Sequence, residues 1–176
     1  PHVFNTFLLS ELKQTGWFSV VTFINGLIAP AFLFVSGFVF EISSGSKLDD
    51  MRKFKLPFWK KLWRLVSIIL IGYALHLPFK SLSKIINKST SEQLQSFYSV
   101  DVLQCIGIGL LVLFVLRLII RSDKIYHYSL ILLTIFVMIL SPIFWRTEFT
   151  NYLHPVFANY FNRLNGSLFP VFPWLN

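Results

Sequence analysis

The sequence predicts an all-α polytopic transmembrane helix bundle, with about four complete spans and the start of another. Three observations carry that expectation. Four stretches, Val20–Phe40, Leu62–Leu77, Val102–Ile120 and Ile125–Phe144, are each long and apolar enough to cross a hydrocarbon core about 30 Å thick. The composition is 55% hydrophobic and 18% aromatic, with twenty Phe, only 14% charged residues and a mean hydropathy of +0.63. A water-soluble domain of 176 residues has too little interior to hide that much apolar surface. The sixteen Lys and Arg, finally, collect mostly between the stretches, where a membrane protein uses them for orientation. Residues 1–176 are read as a single membrane-embedded domain. The start at Pro1 and the close on Phe169-Pro170-Val171-Phe172-Pro173-Trp174, which reads as the mouth of a further span, mark a piece of a longer protein.

Each stretch has its own signals. The first holds Asn25-Gly26, Pro30 and Gly37; Pro30 removes an amide donor and bends a helix, while small residues allow close helix contact. Glu41 and Ser43-Ser44-Gly45-Ser46 end it, and a basic loop follows with Lys47, Arg52, Lys53, Lys55, Lys60 and Lys61. The second stretch begins near Trp59 and runs through Arg64 to His76-Leu77-Pro78. Lys80–Ser99 is polar and reads as a loop with one short helix. Asp101 opens the third stretch and Arg117 and Arg121 close it. The turn to the fourth is short, which makes the third and fourth antiparallel neighbours. Tyr126, Tyr128 and Trp145 bracket the fourth as interfacial anchors. Arg146–Gly166 is a long aromatic loop, suited to lie on the interface as a short amphipathic piece.

Charge and cysteine usage exclude several classes. The net charge of +8 comes with no RNA or DNA motif, so no nucleic-acid partner is expected. Cys105 is the one cysteine, which rules out an intramolecular disulfide and a cysteine-cluster zinc site. Gly107-x-Gly109 lies inside a span and is a packing feature, not a phosphate loop. Lys and Arg are denser in the loop after the first stretch and the turn after the third, which assigns those to the cytoplasmic side. His2, His76, Asp101, Gln104 and His154 then fall toward the extracytoplasmic face.

Polar residues inside a bilayer are expensive, so Asn25, Arg64, His76, Asp101 and Gln104, with His2, become the functional candidates. His2 is a candidate general base toward a hydroxyl or amine, or a plain interfacial histidine. Asp101 and Gln104 are three apart and share a helix face; Asp101 either caps the helix or contacts substrate. Gln104 either binds a substrate group or bridges two helices, because a buried amide without partners costs about 1–3 kcal/mol. Asn25 is a further candidate substrate contact, and its neighbourhood reads equally as a packing kink. Arg64 snorkels to lipid phosphates or meets an anionic group such as the pyrophosphate of coenzyme A. For His76 a structural, interfacial role is the default, His127 belongs to the aromatic belt, and His154 has no role assigned. No hydrolase triad, nucleotide loop or metal-ligand spacing is visible.

Three strings, in order, resemble one family. Asn25–Gly37 resembles the early span of membrane acyltransferases of the heparan-alpha-glucosaminide N-acetyltransferase type. Asp101-Val102-Leu103-Gln104-Cys105-Ile106-Gly107 resembles that family's Val-Leu-Gln motif, and Ser167–Trp174 resembles its Phe-Pro-x-x-Pro-Trp opening of the next helix. The resemblance implies transfer of an acetyl group from acetyl-coenzyme A, as co-substrate and without a metal, to a sugar amine or hydroxyl. It implies His2 as base, acting directly or through an acetyl-histidine, because His2 precedes the first string. It also implies Gln104 and Asp101 at the acceptor, Arg64 at the coenzyme's phosphates, and a multi-pass location in a bacterial inner membrane. His2 also resembles the histidine that the broader group of sugar O-acyltransferases carries at the end of its first span. The lysosomal enzymes, by contrast, place their histidine just before the Gly-Leu string, where Glu11–Phe23 has none. Two other classes compete: a transporter or flippase-like protein, which consumes no acetyl-coenzyme A, and a structural subunit in which the polar residues only join helices.

Overall fold

The computed structural model describes residues 16–45, 47–77, 91–164 and 166–174, and every regular element among them is helical. They fall into two units, residues 1–39 and 40–176. The described part of the first unit is most of helix α1 (Gly16–Gly45), whose last residues belong to the second. This helix is 30 residues long, with a mean hydropathy of 2.1 over its most apolar window, and it runs through Pro30 unbroken. A span that is apolar on every side fits lipid better than water. At its end the Ser44 hydroxyl, fully buried, donates to the Phe40 carbonyl at 2.7 Å, and Gly45 is the last helical residue.

The second unit continues with α2 (Leu48–Arg52) and α3 (Leu56–Leu75), joined by a tight turn in which Phe54 takes a positive φ of 52°. Pro57 sits in the first turn of α3, where its missing N–H is not needed. Then come α4 (Ser91–Tyr98), α5 (Val102–Ile119) and α6 (Asp123–Arg146), followed by a 310 turn (Phe149–Asn151), α7 (Pro155–Ala158) and α8 (Val171–Trp174). The expected short helix before the third span is α4.

Among the described residues three helical stretches are long and apolar enough to cross a membrane: α1, Gln95–Ile119 and α6. The second expected span, Leu62–Leu77, belongs to α3, which falls short because Lys60, Lys61 and Arg64 occupy its first half, leaving it apolar only from Leu65 onward. At 1.5 Å per residue it is still about 30 Å long. It is also the close partner of α5, the most buried helix of the unit. Two glycines permit the approach. A side chain on Gly107 would meet Ile69 of α3, and a Cβ on Gly72 would lie 2.6 Å from Cδ and Oε1 of Gln104. Small residues at a lipid-embedded interface let backbones come together where packing, rather than water exclusion, drives association.

α5 and α6 are joined by a short turn, yet α6 packs chiefly on α8, which also touches α5. The aromatic loop explains this. Phe144 of α6 stacks edge-on with Phe149, Phe161 and Phe172 at 5.2, 5.7 and 4.7 Å. Asn162, itself buried, donates to the carbonyls of Phe144 and Thr147 at 3.0 and 2.6 Å, satisfying the open C-terminus of α6. The loop is a folded strap that carries the 310 turn and α7.

A polar cluster where α3 meets the start of α5

Asp101 stands just before α5 in an extended conformation (φ −105°, ψ −179°). Its Oδ1 accepts the Val102 N–H at 2.7 Å, its side chain accepts the Gln104 N–H, and Gln104 Oε1 accepts the Asp101 N–H at 3.2 Å. This is a reciprocal capping box, so the capping alternative for Asp101 holds. Gln104 is 0% exposed, wedged against Gly72, and its Nε2 finds no partner among the described residues. The amide orientation follows from the bond to Asp101 N–H, which requires an acceptor. Leaving a buried donor idle costs about 1–3 kcal/mol.

His76 closes α3 from the other side. Its Nδ1 lies 3.0 Å from the Gly72 carbonyl, one of the four that the end of α3 leaves open. A carbonyl only accepts, so Nδ1 carries the proton and Nε2 of the neutral ring presents a lone pair. Nε2 faces Oδ2 of Asp101 at 3.9 Å, with the side chains 22% and 34% exposed. Gly72 therefore serves both groups: its missing Cβ admits Gln104, and its carbonyl orients His76.

Beside the cluster, the Tyr73 hydroxyl donates to that of Tyr160 at 2.9 Å. Burial first, then the contact with Tyr73, holds the Tyr160 hydroxyl far above the ordinary phenol range, so it stays protonated. Asn159 donates to the Tyr98 carbonyl at 2.8 Å, and His154 lies edge-on to Tyr98 at 5.6 Å. Val100 N–H donates to Ser167 Oγ at 3.0 Å, while the Val100 carbonyl accepts from Leu168 and Phe169.

The opposite end of the unit is ionic. Arg117 is almost fully buried and pairs with Glu41 at 3.0 Å and Asp123 at 2.7 Å, with its guanidinium 4.4 Å from the Tyr126 ring centre. Arg52 donates to the carbonyls of Arg117, Leu118 and Ile120 at 2.9, 3.3 and 2.7 Å, closing the C-terminus of α5. The basic loop and the turn after α5 thus share one end, and the His76 cluster occupies the other.

Of the residues singled out from sequence, Asp101 and Gln104 come together here. Arg64 is exposed on α3, about 12 Å along the axis from Gly72. Asn25 lies on α1 in the first unit, and His2 lies outside the described residues. His127, exposed, sits with Nδ1 2.6 Å from the Asp123 carbonyl, and His154 Nδ1 accepts the Val156 N–H at 3.4 Å. From sequence, His76 carried only a structural, interfacial role by default, and Asn159 and Asn162 were passed over. A glycine four residues before a helix-ending histidine was the available signal for the first; asparagines in an otherwise aromatic loop were the signal for the others. Among the described residues no three His, Cys, Asp or Glu side chains gather as a metal site requires.

Residues 2–176 match the family described as heparan-alpha-glucosaminide N-acetyltransferase, catalytic. The chain belongs to that family. It is an integral membrane protein of an acetyltransferase family. No curated protein and no solved structure matches it. Two of the strings that carry the family likeness are joined in space: Asp101–Gly107 forms the capped first turns of α5, and Ser167–Trp174 straps onto Val100 directly before it.

Proposed function

We propose that this protein transfers an acetyl group from acetyl-coenzyme A to an amine or hydroxyl of a sugar acceptor at the His76–Asp101–Gln104 end of α5. The observation that carries the reading is the buried Gln104 amide, whose Oε1 accepts the N–H of Asp101, the residue that faces His76, while its Nε2 stays idle. Such a donor is suited to polarise an acyl carbonyl or to fix an acceptor hydroxyl. Asp101 orients a nearby donor. A histidine supplies the base. His2 is the one to which the family resemblance points, either taking the acceptor's proton or carrying the acetyl group between donor and acceptor. Arg64 is exposed toward the basic end and meets the coenzyme's phosphates there, so that donor and acceptor approach from opposite sides of a bacterial inner membrane. The chemistry asks for no metal, since the thioester is already an activated acyl donor.

The test is thiol release from acetyl-coenzyme A by the full-length protein in vesicles, with a panel of amino sugars and glycans, for the wild type and His2→Ala. Acceptor-dependent release that His2→Ala abolishes supports both the reaction and that histidine. Release that survives His2→Ala keeps the reaction and removes His2. Absence of release from folded protein with every acceptor favours a transporter instead.

A further inference from the structure

A C-terminal cap explains one nitrogen of His76 and leaves the other unexplained. The Nδ1–H closes the Gly72 carbonyl at 3.0 Å, a bond that fixes the ring plane and the tautomer together. Nε2 is then left as an acceptor, directed at a carboxylate oxygen 3.9 Å away. That separation is too long for a hydrogen bond and short enough for an ion pair once Nε2 gains a proton. The carboxylate divides its work: Oδ1 caps α5 through Val102 N–H at 2.7 Å, and Oδ2 faces the imidazole. Both side chains are partly open, while Gln104, in the first turn of α5, is sealed with its Nε2 idle. The other described histidines lack this arrangement. The Nδ1 of His127 is used on its own helix, and that of His154 is used as a cap of α7.

Resting on the acetyl-transfer reading above, we infer that His76, and not His2, takes the acceptor's proton, with Asp101 as a positioning residue that holds the imidazolium so formed. In the step, the acceptor nitrogen or oxygen bonds to the acetyl carbon as its proton passes to Nε2 of His76. The carbon–sulfur bond of the thioester breaks, and its electron pair leaves on sulfur as the thiolate. Asp101 contributes little while the ring is neutral and most after proton transfer. The pair therefore favours the state that follows attack over the one that precedes it.

The experiment uses the full-length protein in vesicles and measures kcat, KM for acetyl-coenzyme A and melting temperature. The variants are His76→Asn and His76→Ala, assayed with and without added imidazole, and Asp101→Asn. Asn at position 76 can still donate to the Gly72 carbonyl, and Asn at position 101 still caps a helix. The expected result is a kcat lower by about 10²-fold in His76→Asn, with KM and melting temperature unchanged. Imidazole restores turnover in His76→Ala and leaves the wild type unaffected, and Asp101→Asn loses about tenfold in kcat, a smaller loss than removing the base itself. A wild-type kcat in His76→Asn would make the histidine a cap and overturn the inference while the acetyl-transfer reading stands. So would a loss confined to KM, or a loss in His76→Ala that imidazole does not repair. A wild-type protein that releases no thiol with any acceptor overturns both.

Discussion

Gln104 has one hydrogen-bonding duty and one idle donor, and the two can be separated by mutation. Gln104→Leu removes the acceptor for Asp101 N–H, a loss of about 1 kcal/mol, but it also removes a buried unpaired donor that costs about as much or more. The expected outcome is a melting temperature close to wild type with acetyl transfer lowered at least about tenfold, consistent with loss of a polarising donor. A large drop in melting temperature with turnover intact would mean that the amide only joins helices. Gly72→Ala should behave in the opposite way. Its Cβ would sit 2.6 Å from the Gln104 amide, so α3 and α5 must part, at about 1–3 kcal/mol for an overpacked contact, read as a lower melting temperature in detergent. Asp101 and Gln104 were legible in the sequence because a capping box is local: both partners lie within one turn. His76 was legible only as a residue, since its partner Asp101 belongs to another helix.

At the level of elements, the helix ends are closed by side chains distant in sequence. Arg52 reads in the sequence as one more cation of a basic loop, yet it caps α5 through three carbonyls. Arg52→Ala is expected to lower stability by about 2 kcal/mol, and Arg52→Lys to recover less than half of that, because an ammonium cannot reproduce the planar fork. Equal stability of the two variants would show that charge alone matters. Asn162 does the same service for α6. Asn162→Ala should cost about 1–2 kcal/mol and free the strap, seen as faster proteolysis between Thr147 and Pro170. The extents of α5 and α6 were legible from apolar run length alone, whereas α1 runs from Gly16 to Gly45, beyond both ends of the expected Val20–Phe40. The packing of α6 on α8 was not, because it depends on Phe144, Phe149, Phe161 and Phe172 meeting, and apolar residues in a loop carry no period.

For the whole molecule, the second unit has a polar end and an ionic end. Arg117, Glu41, Asp123 and Arg52 lock the basic loop to the turn after α5. The His76 cluster and its strap occupy the other end, where two of the family's strings meet. That division suits a reaction whose anionic donor and carbohydrate acceptor arrive from different sides, and the family match supplies the acetyltransferase class. The one-sided clustering of the polar residues was anticipated from span counting. The ionic lock was not, since Arg117 was read only as closing the third stretch and is buried between two carboxylates. The most direct test of the account is acceptor-dependent thiol release from acetyl-coenzyme A by the full-length protein in vesicles. Stoichiometric free thiol and acetylated sugar are expected when a suitable amino sugar or glycan is supplied. Folded protein that binds or moves sugar while leaving the thioester intact would contradict the account.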